Sequence, residues 1–377
     1  MKARMFIRGL MLAVLAASLL IYPAVGSAAD DIKVGILGPM TGPGSLMGQG
    51  MRDGVLLAME KVNAAGGIKG RKIKPIIMDD QAQITLGING IKKLIYKENV
   101  LAVLGTPNSP VCLATMQVAK KGKTPQIMFG VAPKITQSGN PWVLRITPSD
   151  MVMATNYVDF AAKKLKLKKL AILHDSSDYG KGALPALKAK MKKLGLKPVI
   201  IESFNVGDKD FAGQLNNIKN SGADGVFLWG LYVEGAQILI QAKQLGLKMP
   251  FLASSGVLQG AFLKLAGKAA NGLYITTYFS LDDPAKRVQD FIKAYKPKYG
   301  NPTPTSALAY DGCNVLSIAM KKVGFDKEKI RQYLRSIKGY RGVTGRIETD
   351  KNGQGGQSSI IMRVENQVPK VVWSSDQ

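Results

Sequence analysis

Val100-Leu101-Ala102-Val103-Leu104-Gly105-Thr106-Pro107-Asn108-Ser109 decides the fold. Five apolar residues in a row, with no polar alternation, describe a strand buried on both faces, as in a parallel sheet sandwiched by helices. Gly105–Ser109 supplies the turn, and the segment through Lys121 reads as a helix that Asn108 or Ser109 can cap. Strand, turn and helix in that order form half of a βαβ crossover unit.

The same rhythm extends in both directions. Upstream lie a strand at Ile32–Leu37, a helix reaching Asn63, a strand at Ile73–Met78 and a helix over Thr85–Lys97. Downstream, Gln126–Phe129 and Trp142–Ile146 read as strands. A second series then begins: helix Met151–Lys163, strand Leu170–Leu173, helix Tyr179–Leu194, strand Pro198–Glu202 and helix Phe211–Asn220. It continues with strand Gly225–Trp229, helix Glu234–Leu245 and strands Phe251–Ala253 and Gly272–Thr277. Helices over Pro284–Tyr299, Thr305–Val323 and Lys327–Ile337 follow, and Ile360–Val364 with Lys370–Val372 reads as a hairpin. Two runs of βα units predict an α/β protein with two doubly wound parallel-sheet lobes. Ligands of such sheets bind beyond the carboxyl ends of the strands, so two facing lobes make a cleft that hinge motion can close.

The ends and the composition bound the setting. Lys2, Arg4 and Arg8 precede an apolar run from Leu10 to Val25, which ends in Gly26-Ser27-Ala28-Ala29. This is the layout of a secretory signal peptide over residues 1–29, and it predicts a protein of the periplasm. No Cys stands at the junction, so no lipid anchor is expected. The formal charge is +26, and +23 without the first 29 residues, which carry three bases and no acid. The bases are mostly Lys, as in Lys163-Lys164-Leu165-Lys166-Leu167-Lys168-Lys169, without interleaved aromatics, which argues against nucleic acid as partner. Cys112 and Cys313 stand in apolar helix-like stretches and read as buried free thiols. His174 is the only histidine and there is no CxxC, so no metal site is expected.

Candidate site residues are sought just after the strands. Gly42-Pro43-Gly44-Ser45-Leu46-Met47-Gly48 imitates a dinucleotide fingerprint, but its third glycine is one place late and Pro43 removes an N–H. It reads as a tight turn and helix entry, with Met47 as apolar wall. Asn108 and Ser109 stand at a helix start, where side chains and free N–H groups hold a carboxylate. His174-Asp175-Ser176-Ser177-Asp178-Tyr179 contains hydrolase residue types, yet no GxSxG elbow surrounds either Ser. Tyr179 is the contact residue expected from it, and no catalytic residue is assigned. Asp79-Asp80 reads as turn chemistry. Glu234 opens a helix, where its charge suits the dipole, and could also reach a cationic group in the cleft.

Gly38-Pro39-Met40-Thr41-Gly42-Pro43, Asn63–Gly70 (NAAGGIKG), Asp79-Asp80, and His174-Asp175 with Tyr179-Gly180 together carry a resemblance. In order and spacing the mature chain is similar to the periplasmic solute-binding proteins of branched-chain amino acid ABC transporters, the leucine/isoleucine/valine-binding type. The resemblance implies the type I periplasmic-binding fold with three inter-lobe crossings. Lobe 1 would combine residues 30–150 with 277–356, and lobe 2 residues 151–276 with 357–377. It also implies a monomer that hands a small solute to a membrane permease, without cofactor or catalysis. The carboxylate station falls at Asn108 or Ser109. The next station, usually Ser-Ala-Thr, reads Phe129-Gly130-Val131-Ala132 and lacks the Thr hydroxyl. The family's second-lobe Tyr matches Tyr179, with a further contact near Tyr232. The acid that pairs the ligand ammonium is replaced by Ser255. The solute is therefore expected to be a carboxylate, either an amino acid or a non-amino organic acid. A sensor of the same fold and an exported hydrolase are the alternatives.

Overall fold

The computed structural model describes residues 30–258 and 261–375. The expected signal peptide, residues 1–29, lies outside the described residues.

Five strands form the first sheet: β1 (Ile32–Gly38), β2 (Ile73–Asp79), β3 (Val103–Gly105), β4 (Gln126–Met128) and β5 (Val143–Arg145). Their order is β2-β1-β3-β4-β5, and every pairing is parallel. The second sheet contains β6 (Leu170–Asp175), β7 (Ile200–Phe204), β8 (Gly225–Trp229), β9 (Phe251–Ala253) and β10 (Tyr274–Thr277). A small hairpin, β11 (Tyr340–Gly342) and β12 (Gly345–Ile347), stands apart. The last two strands, β13 (Ile360–Glu365) and β14 (Val368–Ser374), return to the second sheet, whose order is β14-β13-β10-β9-β8-β6-β7. Only β13 and β14 are antiparallel there.

The chain thus passes between lobes three times. It leaves the first sheet after β5, returns from β10 to the helices Lys286–Tyr299, Pro304–Val323 and Lys327–Arg335, and departs again to β13. Residues of Pro304–Val323, including Leu308 and Leu316, share one apolar core with Val34, Ile36, Met51 and Leu104. Burial of such side chains supplies most of the folding drive, about 1.5–3 kcal/mol each. The second lobe has its own cores on both faces of its sheet, one around Leu228 and Phe262, the other around Tyr157 and Phe227. Arg145 joins two crossings: its Nε donates to Gln354 Oε1 at 2.6 Å, and Gln354 Nε2 donates to Thr147 O at 2.7 Å.

The opening stretch behaves as its pattern predicts, and β-pairing begins before the named strand, because Leu101 N donates to Lys33 O at 2.8 Å. Two helices end in wider π turns, at Lys93–Lys97 and Phe160–Lys164. The short helix Phe262–Ala266 and the β11–β12 hairpin are absent from the sequence reading, being too brief to establish a period. Both cysteines are free and buried, and burial pushes their thiols up to about 12.

Candidate functional site

In each sheet the strand order reverses once, between β1 and β3 and between β6 and β8. Loops diverge at such a switch point and leave a crevice. The loops after all four of these strands line one cavity of about 330 Å³.

On the first-lobe side, Asp79 shapes the loop after β1. Its Oδ1 accepts from Met40 N at 2.8 Å and Gln81 N at 2.9 Å, and its Oδ2 accepts from Thr41 Oγ1 at 2.6 Å. Burial raises its pKa, but these hydrogen bonds outweigh it and hold the carboxyl below its ordinary range. Asp80 lies deeper, and burial pushes it up to about 6. After β3, Asn108 caps the helix Ser109–Lys121: its Oδ1 accepts from Val111 N at 3.2 Å, leaving its amide N–H₂ for the cavity. Ser109 is buried and its Oγ accepts from Ala132 N at 3.2 Å, which ties the ends of β3 and β4 together. Phe129 and Val131 present apolar wall. Gly130 stands behind them, where a Cβ would sit 2.8 Å from Cys112 Sγ.

On the second-lobe side, Asp175 ends β6. Its Oδ1 accepts from Ser177 N at 2.9 Å, Ser177 Oγ and Gly180 N at 3.2 Å, which starts the helix Asp178–Lys193. Tyr179 then spans the lobe: its hydroxyl donates to Ser254 Oγ at 2.6 Å and accepts from Gly256 N at 3.2 Å. The ring lines the cavity while the hydroxyl fixes the turn that carries Ser255. His174 Nδ1 lies 2.6 Å from the Asp175 carbonyl oxygen, and the Ser177 hydroxyl is bonded to the Asp175 carboxylate, so the His is not paired with that Ser. Among the described residues no group of three or more His, Cys, Asp or Glu is positioned for a metal.

Met47, Asn108, Ser109, Phe129, Val131, Tyr179 and Ser255 all meet on the cavity wall. Gly130, Tyr232 and Glu234 do not. Tyr232 crosses the cleft, donating from its hydroxyl to Pro43 O at 3.0 Å. Glu234 is buried, and its Oε1 accepts from Gly207 N at 2.8 Å, so it anchors the loop that puts Val206 on the wall. Tyr278 and Thr305 line the cavity but escaped the sequence reading. Tyr278 follows β10, so the rule that selected the other stations points to it as well. Thr305 arrives on a helix from a distant part of the chain, and nothing local marks it.

Two properties of the wall decide its chemistry. Among the described residues that line it, none has a charged side chain. Six helices place an N-cap or first-turn residue on it: Gly44 and Met47, Gln83, Asn108 and Ser109, Ser177 and Tyr179, Leu231, and Thr305. Helix N-termini carry partial positive charge and N–H groups of the kind that can hold an anion. The lobes are in contact around it. Besides the Tyr232–Pro43 bond, Lys134 Nζ lies 3.6 Å from Asp178, and Leu46 packs against a second-lobe core.

Two doubly wound lobes, three crossings and a cavity closed at both switch points define a protein of the type I periplasmic-binding fold. The chain belongs to the periplasmic binding protein family, which it matches over residues 31–369, on its branched-chain amino acid-binding side. A leucine-, isoleucine-, valine-, threonine- and alanine-binding protein of Pseudomonas aeruginosa is 30% identical over 339 residues, covering 88% of this chain and 89% of the relative. The crystal structure of a leucine binding protein, LivK, from Thermotoga maritima superposes with a TM-score of 0.86 at 30% identity, over 91% of this chain and 98% of that one. A solute-binding protein of R. palustris, solved with benzoate, shares the fold at 20% identity with a TM-score of 0.84, over 91% and 96% of the two chains.

Proposed function

We propose that this protein is the extracytoplasmic receptor of an ABC importer and that it captures a small carboxylate with an apolar body and no α-ammonium group. The observation that carries this reading is a wall with six helix N-termini and, among the described residues, no charged side chain. A carboxylate finds donors there in the Asn108 amide and the Ser109, Ser255, Tyr278 and Thr305 hydroxyls, backed by the helix ends. Met47, Phe129, Val131, Val206 and Leu231 suit a hydrocarbon body. An ammonium in the same cavity lacks a countercharge. Ser255 occupies the position where the resemblance puts an acid, and the nearby Glu234 is bonded to Gly207 N. Burying an unpaired cation costs several kcal/mol, which disfavours a zwitterion against the plain acid.

Closure of the lobes traps the solute, and the single chain delivers it to a membrane permease without chemical change. Capture of a branched-chain amino acid is the second reading, and the name of the Pseudomonas relative favours it. A thermal-shift panel of aromatic acids, aliphatic acids, amides and amino acids separates the two. A true ligand in excess stabilises by about 2–4 kcal/mol. Stabilisation by acids and not by leucine supports the first reading. Stabilisation by leucine alone rejects it.

A further inference from the structure

The cleft lies at the carboxyl ends of the parallel strands, so the opposite edge of the second sheet forms an outer pole. The connections that reach this edge, residues 163–169, 192–198, 219–224, 243–250, 264–271 and the hairpin turn 365–368, contain thirteen lysines and two acids, Asp224 and Glu365, the latter paired with Arg363 at 3.1 Å and Lys370 at 3.5 Å. They contain no arginine and no aromatic residue. All thirteen lysines are exposed. Asp224 is occupied by backbone, accepting from Lys168 N at 2.8 Å and Lys169 N at 2.9 Å. Of the thirteen, only Lys163 has an ion pair among the described residues, with Asp159 at 2.7 Å.

Lysine near a helix C-terminus is ordinary dipole chemistry, but that effect fades within the last turn. Several of these lysines stand beyond it, at one repeated place. Leu165-Lys166-Leu167-Lys168, Leu194-Gly195-Leu196-Lys197 and Leu245-Gly246-Leu247-Lys248 share a pattern, with a left-handed second residue (φ 61, 73 and 73). The leucines turn partly inward and the final lysine stays outside. Since β7, β6, β8 and β9 are neighbours, Lys197, Lys168 and Lys248 form a row along the sheet edge.

We infer that this pole docks on an anionic phospholipid surface. The partner must be a diffuse polyanion, because the face consists of flexible point charges on five loops. Bidentate arginine and stacking aromatics, which read phosphate geometry and bases, are missing. A bilayer fits such a face, and attraction per lysine is additive there. Among the described residues no helix is long and apolar enough to cross a membrane, so retention at a bilayer through these residues would be electrostatic.

The test is co-sedimentation of the purified protein with vesicles of phosphatidylcholine alone or with about 30 mol% phosphatidylglycerol. Wild-type protein should sediment only with the anionic vesicles at about 0.05 M salt and be released at about 0.5 M, where the screening length falls to a few Å. The variant K168Q/K169Q/K197Q/K248Q should partition roughly 100-fold or more less. A control on the first lobe, K92Q/K93Q/K120Q/K121Q, should bind as wild type, with both variants melting as wild type does. Absence of binding to anionic vesicles at low salt overturns the inference. So does equal loss in the two variants, an unaffected second-lobe variant, or tighter retention by duplex DNA than by vesicles.

Discussion

Replacing Asp150 by Asn should change how stability depends on pH, by an amount that the structure sets. Asp150 opens the helix Asp150–Asp159 at the first crossing and is fully buried. Its Oδ1 accepts from Trp229 Nε1 at 3.2 Å, while Oδ2 has no partner among the described residues. Burial pushes its pKa up to about 7; Arg145 and Trp229 pull it down, and Asp175 pushes it up further. The folded carboxyl therefore holds its proton more tightly than the unfolded one, whose ordinary value is 3.8. Its contribution to stability is fully present below that value and is lost as pH rises through about 7. At about 1.4 kcal/mol per unit the total loss is about 4 kcal/mol, of which about 2.5 falls between pH 5 and pH 8. Asn keeps the acceptor for Trp229 and never ionises, but its amide N–H₂ is buried unpaired at a cost of about 1–3 kcal/mol. The variant should thus equal the wild type or lose about 1 kcal/mol near pH 5, and gain about 1–3 kcal/mol near pH 8. Urea unfolding at both values, with unchanged m, measures the difference. Asp80 and Asp311, also raised to about 6, are common to both proteins and cancel. An offset of the same size at both pH values would refute the reasoning.

Three further perturbations probe the cleft. Tyr179→Phe removes the hydroxyl shared by Ser254 and Gly256 N, and should cost about 1–3 kcal/mol in chemical denaturation while weakening solute binding roughly tenfold by calorimetry. Tyr232→Phe deletes the bond to Pro43 O across the lobes, so affinity should fall about five- to tenfold through faster release in stopped-flow, with unfolding little changed. Gly256→Ala puts a Cβ 2.6 Å from both Gly230 O and Tyr179 Oη; stability should fall by about 1–3 kcal/mol and binding should drop below detection in the same titration.

The two-lobed fold was legible because its strands and helices are long enough to carry their periods, and because buried parallel strands such as 100–104 read as unbroken apolar runs. Inspecting strand ends found most of the cavity wall, since the fold brings those ends together whatever their distance in sequence. Direction was harder to read than position. Glu234 sits where a cleft residue belongs, yet it turns to Gly207 N because the 205–208 loop offers an unpaired donor there. Tyr232 likewise reaches Pro43 in the other lobe, a contact that exists only once the lobes are apposed. Thr305 was illegible for a topological reason: the second crossing carries its helix back to the first lobe, where it packs beside the helix Ser45–Ala64. The resemblance implies that return, but nothing local in the sequence marks Thr305 as the residue that meets the cleft.

The central claim is that the cleft accepts a carboxylate and rejects the ammonium that an amino acid adds to it. Isothermal titration of the purified protein with leucine and with 4-methylpentanoate, the same carbon skeleton without the amino group, tests it most directly. An unpaired buried cation costs several kcal/mol, so the acid should bind at least about 100-fold more tightly. Leucine binding as tightly as the acid, or more so, would contradict the account.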